Sequence, residues 1–341
     1  MNIKELKIKG FKSIGEIVLK SPNPFSVFVG ANGVGKSNIF EALEFLNYCN
    51  IMDDNEAVKY FGNIEDIINK NLPLENYILF DINLGEIKPH FSLRPNLQIK
   101  PPLFDAGSFE DFGKHFSEKH LDRNAQESIN RPEYIHFTNF TRLFVGKESM
   151  RKRNTQDDSQ LSLDASNLEK VLKRLFRNEN VKNEIIEILQ TLIPEFIEIQ
   201  IVTEEYSGTD SLLFYEKSLR KPLTKRLISD GSYNILSILA AIYQSDKPQF
   251  LCIEEPENGL NPKVVRELVN IIRTQCAEKG HYIWLNTHSQ TLVSELLPEE
   301  IILVDKVNGM TQTKQVAGMD LHGLKMDEAL LTNSLGGGIP W

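Results

Sequence analysis

The segment Gly30-Ala31-Asn32-Gly33-Val34-Gly35-Lys36-Ser37 constrains this chain more than any other. It follows G-x-x-x-x-G-K-[ST] and joins the apolar run Phe25-Ser26-Val27-Phe28-Val29 to apolar residues at helical spacing, Ile39, Phe40, Leu43, Phe45 and Leu46. A strand that passes through a glycine-rich turn into a helix turns backbone N–H groups and the positive end of the helix dipole toward an anion. Lys36 adds a full positive charge for the outer phosphates of a phosphate chain, and the Ser37 hydroxyl suits Mg²⁺. Gly33, Gly35, Lys36 and Ser37 are therefore expected to hold a nucleotide phosphate chain.

The last third of the chain supplies a second group. Phe250-Leu251-Cys252-Ile253 reads as a buried strand ending in Glu254-Glu255, and a second strand over 282–285 leads into Thr287-His288-Ser289. Helices are expected over 233–244, 262–276 and 291–297, with a further strand over 301–304. Strands and helices that alternate in this way predict an α/β fold with a parallel sheet, whose strand carboxyl ends face the ligand crevice. Glu254 is then positioned for Mg²⁺, directly or through water, and Glu255 to polarise an attacking water. His288 on the same edge suits a γ-phosphate contact. Leu227-Ile228-Ser229-Asp230-Gly231-Ser232 places small hydroxyl-bearing residues at a helix N-terminus, a cap and a second phosphate-binding end.

Composition narrows the class. With 341 residues, 41% apolar and 25% charged, the chain suits two domains or one large domain with an insertion. A net charge of −9 argues against general coating of nucleic acid and leaves a local basic face open. The cysteines, Cys49, Cys252 and Cys276, lack disulfide or zinc spacing and suit a reducing cytoplasm. The N-terminus intersperses charge every few residues, unlike a secretion signal, and no apolar run reaches the roughly 20 residues of a membrane span. Because motifs sit at both ends, we expect one split core, residues 1–48 and 196–306, an inserted helical and irregular lobe over 49–195, and a tail over 307–341. Two amphipathic helices are expected from Leu168 to Ile193, and strand-like runs over 197–202 and 212–215.

The order Lys36, Ser229-Asp230-Gly231, Glu254-Glu255, His288 resembles the head of ATP-binding-cassette (ABC) ATPases, in the branch with RecF, SMC-type and overcoming-lysogenization-defect (OLD) proteins. The resemblance covers about 1–47 and 228–305 and includes the Gly10-Phe11-Lys12-Ser13 turn, the Asn32 variant of the loop and the Asn258-Gly259-Leu260-Asn261-Pro262 segment. It implies a P-loop NTPase head with a mixed, mostly parallel sheet, and ATP and Mg²⁺ as cofactors. It further implies that Lys12, Ser13, Asn32 and Asn38 join the nucleotide contacts and that the site closes by dimerisation. Ser229 and Gly231 of one subunit would then act in trans on the nucleotide held by Lys36, Ser37, Glu255 and His288 of the other. Two departures stand out. Glu254 replaces the usual Asp, and neither Gln98 nor Gln126 has the surroundings of the family's Mg²⁺-linked glutamine.

The expected function is an ATP-driven switch subunit. The stretch after Asp305 is too short for the TOPRIM nuclease domain of OLD proteins, so a separately encoded effector is expected, TOPRIM-like or another nuclease or toxin, as in anti-phage systems. One alternative is a RecF-like repair ATPase that binds DNA, to which Lys217, Arg220, Lys221, Lys225, Arg226 and Arg151-Lys152-Arg153 would contribute if they are more than a solvated face. Another is a transporter's nucleotide-binding subunit, disfavoured by the Ser-Asp-Gly-Ser segment and the large insertion before it. The tail Leu335–Trp341 is expected either to dock or to fray.

Overall fold

Alternation in the first twenty residues makes an antiparallel pair. In β1 (Glu5–Lys9) and β2 (Glu16–Lys20), Leu6 faces Leu19 and Ile8 faces Ile17 across the ladder, all four buried, while charged residues and Val18 take the other face. The structure, a computed structural model, describes residues 3–72, 77–85, 88, 90–93, 135–146, 158–206, 208–319 and 328. Gln98, Gln126, Arg151-Lys152-Arg153 and the Leu335–Trp341 tail lie outside the described residues. Contacts divide the chain into one unit formed by Met1–Phe140 with Leu296–Trp341, and another formed by Thr141–Glu295.

In the first unit, β3 (Phe25–Val29) is buried along its whole length and feeds through the glycine loop into α1 (Lys36–Ile51). Continuous burial explains why β3 shows no alternation of apolar and exposed residues, and its one polar member, Ser26, donates its hydroxyl to the Asn23 carbonyl at 2.7 Å. Short helices α2 (Asp54–Tyr60) and α3 (Ile64–Ile67) follow, the former capped by the Asp53 side chain accepting from the Asn55 N–H. The middle of the chain, weak in periodicity, still supplies β4 (Ile78–Asn83), which pairs with β1, and β5 (His90–Leu93), giving the order β2-β1-β4-β5. Helix α4 (Ile135–Thr138) is tied to α1 where the Asn47 amide donates to the Phe137 carbonyl at 2.9 Å. The turn between β1 and β2 holds Phe11 in an aromatic cluster with Phe45 and Phe61.

Two strands near the end of the chain complete this unit. β12 (Ile301–Val307) runs parallel to β3, and β13 (Met310–Gln315) folds back antiparallel on β12. No strand is legible in the sequence beyond 304, because β13 reads Met-Thr-Gln-Thr-Lys-Gln with little apolar content. Its one fully buried residue is Thr311.

The second unit takes in most of β6 (Phe140–Leu143). The expected helices appear as α5 (Leu168–Leu175) and α6 (Glu179–Leu192), with the stripe Leu168, Val171, Leu172 fully buried. Strands β7 (Phe196–Thr203), β8 (Asp210–Glu216) and β9 (Leu223–Thr224) form an antiparallel sheet. Helix α7 (Asp230–Tyr243) starts at Ser229 and is buried on nearly every side. β10 (Phe250–Glu254) and β11 (Tyr282–Thr287) are parallel neighbours, with Glu254 opposite Asn286, and β6 flanks β10. Between them α8 (Pro262–Lys279) is set by the Asn261 cap, Pro262 in its first turn and Gly280 at φ 67° after its end. The helix expected over 291–297 is a single turn, α9 (Gln290–Val293), followed by a 3₁₀ turn at Pro298–Glu300.

Candidate nucleotide-binding site

In the glycine loop, Gly33 and Gly35 adopt φ 80° and 104°, the left-handed region that a side chain disfavours. Gly35 has no room for one either, since an added Cβ would lie 2.0 Å from Thr311 Oγ1. The Lys36 side chain folds over its own loop, its ammonium donating to the Gly30 carbonyl at 2.7 Å and the Ala31 carbonyl at 2.9 Å. Carbonyl partners of this kind are exchangeable for phosphate oxygens, which carry full charge and bind an ammonium more strongly. Asn32 and Gly33 are exposed, and Ser37 lies in the first turn of α1.

The other residues expected near this loop turn to one another. Lys12, at φ 47°, pairs through its ammonium with the Glu41 carboxylate. The Asn38 amide donates to Ser13 Oγ at 2.6 Å, and Ser13 Oγ lies 2.6 Å from Thr311 Oγ1.

Within the second unit, the two acids that end β10 occupy different surroundings. Glu254 is 3% exposed, and its Oε1 accepts from Arg142 Nε at 2.6 Å while its Oε2 accepts from Asn286 Nδ2 at 3.2 Å. Glu255 has φ 48°, a strained value for a residue with a side chain. Its N–H is shared between the carbonyl and side-chain oxygens of Asn286, both at 3.1 Å. That twist brings Glu255 Oε1 to 3.5 Å from His288 Nδ1, and Oε2 accepts from Asn258 Nδ2 at 3.1 Å. Thr287 donates its hydroxyl to Glu257, whose carboxyl burial pushes above the usual glutamate value.

The start of α7 meets the loop after these acids. Ser229 caps the helix by accepting from the Ser232 N–H at 3.1 Å. An added Cβ on Gly231 would fall 2.3 Å from the Gly259 carbonyl, so only glycine permits this backbone contact. Asn234 donates to the carbonyls of Pro256 and Asn258 at 2.9 and 3.0 Å. Glu255, Asp230, Asn258 and Lys225 line one cavity of about 770 Å³.

The structure thus gathers Lys12, Ser13 and Asn32–Asn38 in one unit and Ser229, Gly231, Glu254, Glu255 and His288 in the other. Sequence reasoning missed Arg142, Asn286 and Thr311. An arginine inside the apolar strand Phe-Thr-Arg-Leu was a usable signal for Arg142, since a buried guanidinium requires an anionic partner; Thr311 offered none. Among the described residues no cluster of three or more His, Cys, Asp or Glu is arranged to hold a metal, and no helix is long and apolar enough to cross a membrane.

Comparison with known proteins bears on the family and the fold. Residues 25–294 match the family described as "AAA domain, putative AbiEii toxin, Type IV TA system". A putative ABC transporter ATP-binding protein of Pyrococcus abyssi is 36% identical over 86 residues, 25% of this chain and 31% of that protein. The phosphonates import ATP-binding protein of Alcaligenes faecalis is 28% identical over 28% of this chain and 34% of its own length. The chain therefore spans about a third of these curated relatives. Among solved structures, an Smc head bound to the C-winged helix domain of ScpA superposes with a TM-score of 0.58 at 18% identity, covering 96% of this chain and 98% of that one. An Smc head with an extended coiled coil, derived from Pyrococcus furiosus and bound to the C-terminal domain of ScpA, gives 0.56 at 16% identity over 98% and 99%. With the family model spanning most of its length, the chain belongs to the AAA-domain family of the AbiEii type, and it has the fold of an ABC-type P-loop head.

Proposed function

We propose that this protein is an ATPase that acts as a switch subunit, which closes into a dimer around ATP, reopens on hydrolysis and thereby controls a separately encoded nuclease or toxin in defence against phage. In this reading Lys36 and the loop N–H groups hold the β- and γ-phosphates, with Asn32, Asn38, Lys12 and Ser13 around them. Glu255 takes the proton of the attacking water, and His288 contacts the γ-phosphate. Ser229 and Gly231 complete the site of a second copy.

Mg²⁺, when bound with ATP, neutralises charge between the outer phosphates. Such a site needs few protein ligands, because phosphate and water oxygens supply the others. We assign Ser37 as the direct ligand. With both Glu254 oxygens already accepting hydrogen bonds from Arg142 and Asn286, we assign Glu254 a contact through water.

The observation that carries the switch reading is the backbone contact of Gly231 with Gly259, reinforced by Asn234. It joins the segment assigned to act in trans to the loop that follows the base assigned to act in cis. A change at the γ-phosphate that moves this loop therefore moves the dimer contact, a population shift driven by differential contacts. A RecF-like DNA-binding role draws on the exposed Arg220, Lys221 and Arg226. It predicts duplex binding by the protein alone that weakens steeply with salt.

The deciding experiment compares MgATP binding, turnover and assembly mass in wild type, Lys36→Ala and Glu255→Gln. Lys36→Ala is expected to lose ATP binding. Glu255→Gln is expected to keep it, to lose turnover by about 100-fold or more, and to accumulate as an ATP-bound dimer. Normal turnover in Glu255→Gln moves the base elsewhere, and a monomer under all conditions removes the switch.

A further inference from the structure

The glycine loop is held from behind by a residue that no phosphate-binding motif includes. Thr311, on β13, is fully buried. Its hydroxyl donates to the Val34 carbonyl at 2.8 Å, and its N–H donates to the Ser13 carbonyl at 2.7 Å. Thr311 Oγ1 and Ser13 Oγ are 2.6 Å apart, and Ser13 Oγ accepts from the Asn38 amide at 2.6 Å.

A hydroxyl has one proton to donate. That of Thr311 is committed to Val34, so Ser13 is the donor between the two hydroxyls. The bonds therefore run in one direction, from the Asn38 amide through Ser13 and Thr311 to the Val34 carbonyl. Chains aligned in this way polarise each member and strengthen the last bond. Their terminus is the peptide group between Val34 and Gly35, one residue before Lys36. Fixing that carbonyl fixes the plane of the peptide, and with it the direction of the Gly35 N–H. The missing Cβ of Gly35 is what lets the Thr311 hydroxyl approach, since an added one would sit 2.0 Å from Thr311 Oγ1 and 2.6 Å from Ser13 Oγ.

We infer that Thr311 is a positioning residue for phosphate binding: through Ser13 and Asn38 on one side and Val34 on the other, it preorganises the glycine loop that receives ATP. The inference rests on the reading that this loop binds ATP and adds to it a residue on the hairpin near the other end of the chain. It also gives Ser13 and Asn38 a role behind the loop, independent of any direct contact with nucleotide. A loop held in its binding conformation before the ligand arrives avoids the ordering cost on binding.

The test measures MgATP affinity by calorimetric titration, turnover at saturating ATP and thermal midpoint for the full chain as wild type, Thr311→Val, Thr311→Ser, Ser13→Ala and Lys36→Ala. Losing the hydroxyl in Thr311→Val is expected to weaken MgATP affinity by about tenfold, the scale of one buried hydrogen bond. Turnover at saturation is expected to stay within about threefold of wild type, and Thr311→Ser to restore affinity. Ser13→Ala, which breaks the same chain without altering β13, is expected to weaken affinity in the same direction and serves if Thr311→Val does not fold. Unchanged affinity in both Thr311→Val and Ser13→Ala, or a lower midpoint with normal affinity of the folded protein, overturns the positioning role while leaving the loop's assignment intact. A folded wild type that binds MgATP no better than Lys36→Ala overturns the loop's assignment, and the inference with it.

Discussion

Arg142 and Glu254 form an ion pair whose side chains are 2% and 1% exposed, with the guanidinium Nε 2.6 Å from Glu254 Oε1. Both charges have been taken out of water, so each depends on the other. Breaking such a pair costs far more than its net contribution to stability, because a lone buried charge is left behind. Arg142→Met is expected to lower stability by about 3–5 kcal/mol. Adding Glu254→Gln to Arg142→Met is expected to recover part of that loss, since it removes the stranded charge. Urea denaturation of the three proteins checks this; a double variant no more stable than Arg142→Met would show that the stranded carboxylate is not the cause.

Ser229 opens α7 on an exposed surface, capping its own helix through the Ser232 N–H. If this helix end also closes the site of a second copy, Ser229→Arg should leave MgATP affinity of the single subunit within about twofold, less than 0.5 kcal/mol. It should prevent the ATP-dependent increase in mass expected of Glu255→Gln. Light scattering with and without ATP in the Glu255→Gln background reads this directly. An unimpaired dimer in the combined variant removes Ser229 from the interface.

Glu257 sets a pH dependence whose sign can be worked out. Burial raises its carboxyl above the ordinary value, opposed by the Thr287 hydrogen bond and the neighbouring His288, and Glu257 Oε2 is buried without a hydrogen-bond partner. A carboxyl whose folded-state pKa lies above its unfolded value makes the folded state bind protons more readily than the unfolded one. Ionised Glu257 therefore costs stability above its raised pKa, and the cost vanishes below the ordinary value of 4.5, where both states are protonated. Glu257→Gln is accordingly expected to raise Tm at pH 8 and to lose that advantage near pH 4. Thermal melts of both proteins across this range decide it; a Tm difference that does not change with pH would rule out ionisation as its origin.

Legibility in the sequence tracked how local each feature is. The glycine loop could be read because its eight residues are contiguous and its flanks, a strand apolar but for Ser26 and a helix with apolar spacing, declare themselves within one window. The acid pair and His288 could be read because each ends an apolar run. The Ser229 cap was legible for the same reason. β13 was not, because a polar strand with one buried side chain has no alternation to detect, and the short helix α9 was overestimated because apolar residues continue past its end.

The sequence alone determined the glycine loop between strand and helix, the carboxylates and histidine at the strand ends, and the α/β rhythm that carries them. These depend on backbone conformation and on residue types within a few positions of one another. Tertiary structure alone decided which distant side chains satisfy the buried polar groups around them: Thr311 on the Val34 carbonyl, 277 positions away, and Arg142 on Glu254, 112 positions away. A buried carbonyl or carboxylate must find a partner, but nothing in its own neighbourhood says which one. That choice is made only when packing brings the strands together, and it separates Glu254, locked by Arg142, from Glu255, left within reach of His288.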